Sequence, residues 1–169
     1  PEAFLALGHV PVVGADETFP GGFTIRAEKC PNRNGVEAVL ALYGAGERSW
    51  NDLLAHMAAG KVDAAWVTGG YPAAWVDEAT AAGFAGLSCL VVQDLFDSPL
   101  TRLATWRLPA TGFAERAGTW VNVGHHAQSF DAAIRPPAGV WPEGRLFWNM
   151  LGRRGLYDAA SVRRPSMFQ

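Results

Sequence analysis

Cysteine is scarce in this chain. Its two cysteines, Cys30 and Cys89, stand far apart and neither belongs to a Cys-x-x-Cys pair. That excludes a disulfide framework and a four-ligand iron–sulfur site built from this chain alone. Long apolar runs are missing too: none approaches the roughly 20 residues that a membrane-spanning helix needs. No charged-then-apolar leader opens the sequence, so it reads as soluble and cytoplasmic, without direct membrane insertion. Charged residues make only 18% of the chain and leave a net charge of -2, which gives no electrostatic case for nucleic acid or an anionic membrane surface.

Apolar residues are what the chain has in quantity. At 49% they are abundant for a soluble monomer, which implies that part of the surface is covered by a partner. Tryptophan is frequent as well, and filling a core is the simpler use of such rings. A length of 169 residues suits a single domain over 1–169. An opening on Pro1 instead of Met reads as a piece of a longer chain.

The first residues, 1–22, carry short apolar runs among Gly and Pro and are expected to be irregular, with at most an edge strand. Phe23 to Arg26 alternates as a half-buried strand does, and Pro31-Asn32-Arg33-Asn34-Gly35 is loop chemistry. Val36 to Tyr43 suits a strand or a helix equally. After Ser49, a good N-cap, Trp50, Leu53, Leu54 and Met57 fall at i, i+3, i+4 and i+7, and Gly60 ends the helix. Val62 to Thr68 then reads as a strand, Gly69 to Pro72 as a turn, and Ala73 to Ala82 as a second helix. Leu87 to Val92 is a further buried strand, and Asp97-Ser98-Pro99 caps a helix through Ala104. Strands alternating with helices through short connections predict a parallel sheet with right-handed crossovers, in which Trp66 and Val67 lie on a central strand. Ser129 to Arg135 suggests a short strand, Pro142 the first turn of a helix presenting Phe147, Met150 and Leu151, and Asp158 the cap of a last helix through Val162.

From Asp94 to Gln128 the residues Ala104, Leu108, Pro109, Glu115, Gly118, Thr119, Trp120, Asn122 and Gln128 stand at spacings that no periodicity explains. Their order resembles the molybdopterin oxidoreductases, most closely the large iron–sulfur subunit of respiratory NADH:quinone oxidoreductase. There a strand ends in Asp, followed by Ala-Asp-Val-x-Leu-Pro, Glu, Gly-Thr-aromatic-x-Asn and Glu-Gly-Arg-x-Gln. The resemblance covers most of 62–151. It implies an α/β fold with a doubly wound, mostly parallel, Rossmann-like sheet. It also implies a parent oxidoreductase, an NADH dehydrogenase that carries electrons toward quinone, with other domains of the same chain and other subunits of a respiratory complex as partners. Such a complex would hold the chain at the periphery of the inner membrane.

Relatives hold molybdopterin guanine dinucleotide at this region and iron–sulfur clusters on cysteines upstream of it. By resemblance the cofactor crevice would be formed by Gly69, Gly70, Tyr71, Pro72, Asp94, Glu115, Asn122 and Gln128. Three positions depart from the pattern. Tyr71 replaces an amide, Thr105 an Asp, and Gly124-His125-His126 stands for Glu-Gly-Arg. The expectation is therefore a vestigial crevice, partly filled by Tyr71, in a scaffold that is not itself catalytic and holds no cofactor.

Two other readings compete. Gly44-Ala45-Gly46-Glu47-Arg48-Ser49 has the outline of a dinucleotide-binding loop and would make the chain an independent dinucleotide-binding enzyme. Ser replaces the third Gly, however, and Glu47 would meet phosphate. A non-catalytic interaction module needs only a covered apolar face. His125-His126 lacks the further ligands a metal requires, and Ser88 lacks the second Gly of a nucleophile elbow. Glu115, beside Arg116, serves better as a loop anchor than as an acid.

Overall fold

A computed structural model describes residues 15–27, 30–42 and 49–162. The chain divides into two compact units. The smaller holds the described residues up to Leu53 together with Thr119–Gln128, and the larger holds Leu54–Gly118 and the described residues from Ser129 onward.

In the smaller unit β1 (Glu17–Thr18) pairs antiparallel with β2 (Thr24–Ile25), within the stretch where the alternation predicts a strand. Gly21 and Gly22 take positive φ in the tight connection, where a side chain would be strained. The carboxylate of Asp16 then accepts from the Arg26 guanidinium and the Ala27 amide. Next comes α1 (Arg33–Leu42), so the choice left open at Val36 falls to helix, and the expected loop at 31–35 is already partly helical. At Gly35 a Cβ would collide with the Asn32 side-chain amide and crowd Val121 at 3.2 Å. Gly35 is thus an adaptation to a close neighbour inside a helix and not a turn signal. The helix α2 (Trp50–Ala58) is capped as the sequence predicts, since Ser49 and Asp52 bond each other reciprocally. It stops at Gly60, whose φ is +65°.

The larger unit is built on three parallel strands, β3 (Ala64–Thr68), β4 (Cys89–Asp94) and β5 (Trp106–Pro109), in the order β3-β4-β5. β4, and not the strand of Trp66 and Val67, is the middle one. Accordingly its Leu90, Val92, Gln93 and Asp94 are all buried, whereas Trp66 on the outer strand is half-buried. Two short helices make the crossovers. The first, α3 (Glu78–Ala82), begins five residues later than expected, because Asp77 caps it by accepting from the Thr80 amide at 2.8 Å. In α4 (Pro99–Leu103), Ser98 and Thr101 form a reciprocal capping box, and the Thr101 hydroxyl also donates to Asp97.

An ion pair joins Arg102 of α4 to Glu78 of α3, so both crossovers lie on one side, as two right-handed connections stepping the same way require. Phe84, Leu90, Val92 and Leu100 are the largest apolar side chains fully withdrawn from solvent in this unit. Trp66 of β3 meets Phe147 of α5 (Glu143–Met150) with ring centroids 5.4 Å apart. The architecture is therefore mixed α/β, with a three-stranded parallel sheet flanked by helices.

A two-stranded ribbon, β6 (Gly118–Val121) with β7 (Ala127–Phe130), carries the chain from the larger unit to the smaller and back. Gly118 lies under the ring of Phe130, whose nearest atom would be 2.9 Å from a Cβ. A last turn, α6 (Ala159–Val162), starts where Asp158 accepts from the Ala160 amide.

Candidate functional site

The carboxyl ends of parallel strands are where an open α/β sheet usually presents a site. Here β3 runs into Gly69, and β4 ends in Asp94. The two strands are hydrogen-bonded neighbours in a sheet whose order has no reversal, so no switch point separates them. The Gly69 amide donates to the Gln93 carbonyl at 2.8 Å and continues the ladder one residue beyond β3.

Asp94 organises this edge. Its carboxylate accepts from the amides of Gly70 at 2.9 Å and Leu95 at 2.7 Å, and from the indole nitrogen of Trp75 at 2.8 Å. Its own carbonyl accepts from the Ala110 amide at 3.0 Å, which brings in the segment after β5. A carboxylate offers about four lone-pair positions, so three are taken by the chain itself. Only glycine fits at 69, because a Cβ would lie 2.5 Å from the Asp94 carboxyl. Tyr71 turns its ring toward Trp75, with centroids 6.1 Å apart. Gly69 and Gly70 thus lie directly against Asp94, the first by close approach and the second by a hydrogen bond. The carboxylate itself fills the space between their loops.

The remaining residues of the expected crevice serve their own turns. Glu115 accepts from the Gly112 amide at 2.8 Å and closes a 3-10 turn over Phe113–Glu115, the loop anchor that the sequence favours. Thr105, where the resemblance expects Asp, accepts from the Leu90 amide at 3.0 Å and so braces the middle strand. Asn122 belongs to the smaller unit. Its side-chain oxygen accepts from the amides of Gly124 and His126, folding the ribbon's tip. His125 is the non-glycine residue there with positive φ, at 60°. Gln128 and His126 are exposed on the same ribbon. The Gly44 loop lies outside the described residues apart from Ser49, which is spent on the cap of α2.

Two groups at the sheet edge are not singled out by the sequence. Trp75 lies where a helix is expected and supplies an indole donor instead; the only hint is the adjacent Gly69-Gly70. Glu143, the first residue of α5, accepts from the Thr111 hydroxyl at 3.3 Å and pairs with Arg116 at 2.9 Å. These bonds hold α5 to the segment leaving β5. Nearby, burial and the charges of Asp158 and Glu143 push the Tyr157 phenol above its ordinary pKa, so it stays protonated through the neutral range. Gly144 leaves the room that this ring occupies.

In the smaller unit a cavity of about 300 Å³ is lined by Arg26, Cys30, Arg33, Asn34, Val121 and Asn122, among others. Arg26 is held by Asp16 at 2.6 Å, and the Asn34 amide donates to the Asn122 carbonyl at 2.8 Å. Among the described residues no three of His, Cys, Asp and Glu converge as metal ligands would, and no helix is long and apolar enough to cross a membrane. No family model and no curated protein matches the chain.

Proposed function

We propose that this chain is a scaffold domain of a molybdopterin oxidoreductase, of the kind that forms the large iron–sulfur subunit of NADH:quinone oxidoreductase. The sheet edge that holds a pterin dinucleotide in relatives has here become a structural joint. The three parallel strands would form one half of a doubly wound, Rossmann-like sheet. Other domains of the same chain and other subunits of a cytoplasmic, membrane-peripheral respiratory complex would supply the rest. The parent would carry electrons from NADH toward quinone through iron–sulfur clusters bound elsewhere.

The observation that carries the scaffold reading is Asp94, whose carboxylate takes three N–H donors from its own chain. The groups at this edge do not fit a guanine and its phosphates. Tyr71 replaces the expected amide and turns toward Trp75, and Thr105 is spent on Leu90. Removing one charge-assisted hydrogen bond costs about 1.5 to 3 kcal/mol, so removing three lowers affinity by several orders of magnitude.

Calorimetric titration with GMP tests the scaffold reading. No saturable heat is expected, and a micromolar dissociation constant would restore cofactor binding. The parentage is tested separately by isolating the full-length protein from its source. Iron–sulfur clusters and copurifying NADH dehydrogenase activity are expected, and their absence from a full-length preparation would refute it.

A further inference from the structure

Gln93 follows an apolar run on the middle strand and has none of its surface exposed. Neither the oxygen nor the nitrogen of its carboxamide meets a hydrogen-bond partner among the described residues. Buried amides are nearly always bonded, because withdrawing one from water without replacing its hydrogen bonds is unfavourable. Asp94, the next residue, shows the opposite treatment: it too is buried, and its carboxylate takes three donors.

Side chains alternate along a strand, so Val91 and Gln93 share one face of the sheet and Leu90, Val92 and Asp94 the other. Trp66 is the partner of Val91, while Thr68 and Leu108 are the partners of Gln93, so all of these lie on the Gln93 face. This is the face that α5 crosses, since Phe147 meets the Trp66 ring. One turn earlier in the helix, Glu143 meets Thr111 just beyond β5. A helix anchored at those two points passes over the middle strand at the level of Gln93. The indole nitrogens of Trp66 and of Trp148, within α5, are also buried without an acceptor. Among the described residues of the larger unit, the buried side chains lacking partners thus belong to α5 or to the strand face beneath it.

Little holds the helix there. None of its residues is buried, and Phe147 is 40% exposed. The bond from Thr111 is long, at 3.3 Å, which leaves the ion pair of Glu143 with Arg116, at 2.9 Å, as the firmer polar tether. Gly139 and Gly152 bracket the helix, both at positive φ with open space where a Cβ would stand. Such positions can absorb a change of backbone angle.

We propose that α5 is a hinged strap, which swings off the sheet about Gly139 and Gly152 while the three strands stay paired, and so uncovers Trp66 and Gln93. Closing hides aromatic rings from water but strands the Gln93 carboxamide, and opening reverses both. The two effects oppose each other, so the open form is populated before the unit unfolds. The inference rests on α5 and the strand face under it, and does not depend on the parentage proposed above.

Hydrogen exchange on the full chain tests it. The Trp66 indole, which fraying of the helix ends would leave covered, should exchange at least about tenfold faster than the Leu90 and Val92 amides, together with the Leu146 and Leu151 amides bonded within α5. Gln93→Leu removes the stranded amide at similar volume. It should slow the indole and the α5 amides at least about fivefold and raise the denaturant midpoint. Glu143→Gln weakens the tether to Arg116 and should speed the same exchange while the β4 amides stay as they are. The proposal is overturned if the indole exchanges in step with β4, or if Glu143→Gln leaves its rate unchanged. A Gln93→Leu chain that exchanges faster, melts earlier or does not fold overturns it as well, because the carboxamide would then serve the closed form.

Discussion

The two units hold themselves together by different means. In the larger, apolar side chains from successive strands and helices are withdrawn from water, led by Phe84, Leu90, Val92 and Leu100. In the smaller, amides act as latches. The Asn32 side chain accepts from the Val121 amide at 2.8 Å, and the Asn34 side chain donates to the Asn122 carbonyl at 2.8 Å. Burial of apolar area is non-directional and sums over many atom pairs. A side chain bonded to backbone depends on one geometry and contributes only about 0.5 to 1.5 kcal/mol net. The larger unit should therefore fail when its core is cut. The smaller should loosen when a single amide is removed.

The sharpest way to break this contrast is Phe84→Ala. The ring is 1% exposed, so the cost should be about 3 to 5 kcal/mol, read from the denaturant midpoint. A midpoint like that of the parent would show that the crossover helices contribute little. Next is Asp94→Asn, which takes one acceptor oxygen and the charge from a joint with three donors. A loss of about 1.5 to 3 kcal/mol is expected, together with a changed tryptophan emission from Trp75.

Asn32→Ala should cost about 1 to 2 kcal/mol, since it leaves the Val121 amide without its acceptor. Hydrogen exchange at Val121 should then speed up while the amides of β4 stay protected. If both slow regions change together, the units do not open separately. In the opposite direction, His125→Gly relieves a positive φ at the ribbon tip and should stabilise by about 0.5 to 1 kcal/mol.

The smallest effect concerns acid. The Thr101 hydroxyl holds Asp97 below the usual carboxylate range, and the Thr80 amide and hydroxyl do the same for Asp77. Both folded-state values lie below the unfolded ones. The caps of α3 and α4 are thus at full strength above the ordinary carboxylate pKa and weaken as pH falls through the depressed values. Carboxyl chemical shifts followed during acid titration should show both groups titrating late, and ordinary midpoints would remove the caps from the account.

Much of the larger unit is legible in the sequence because its elements follow period and punctuation. Val62 to Thr68 and Leu87 to Val92 read as strands, and Asp97-Ser98-Pro99 is a cap in which each residue has one physical use. The departures have a common cause. Gly35, Trp75 and Thr105 answer to neighbours distant in sequence: a ribbon side chain, a carboxylate and a strand amide. Local pattern carries no trace of such partners, so Asn32 to Gly35 reads as a loop and Ala73 to Ala82 as one helix. The same blindness affects the candidate site. Spacing from Asp94 to Gln128 marks those residues as special, yet it does not distinguish a carboxylate that waits for a ligand from one already engaged by Gly70, Leu95 and Trp75.

The fit of Gly69 against the Asp94 carboxyl also makes these two positions a single heritable unit. Any side chain at 69 would push the carboxylate off the Gly70 amide, and shortening residue 94 would leave a void that a methyl at 69 could enter. Either change alone is harmful, while the pair together is less so. When chains descended from the same ancestor are aligned, glycine at 69 and aspartate at 94 should be kept together or lost together. A lineage that abandons one should carry the mark of having passed quickly to abandoning the other.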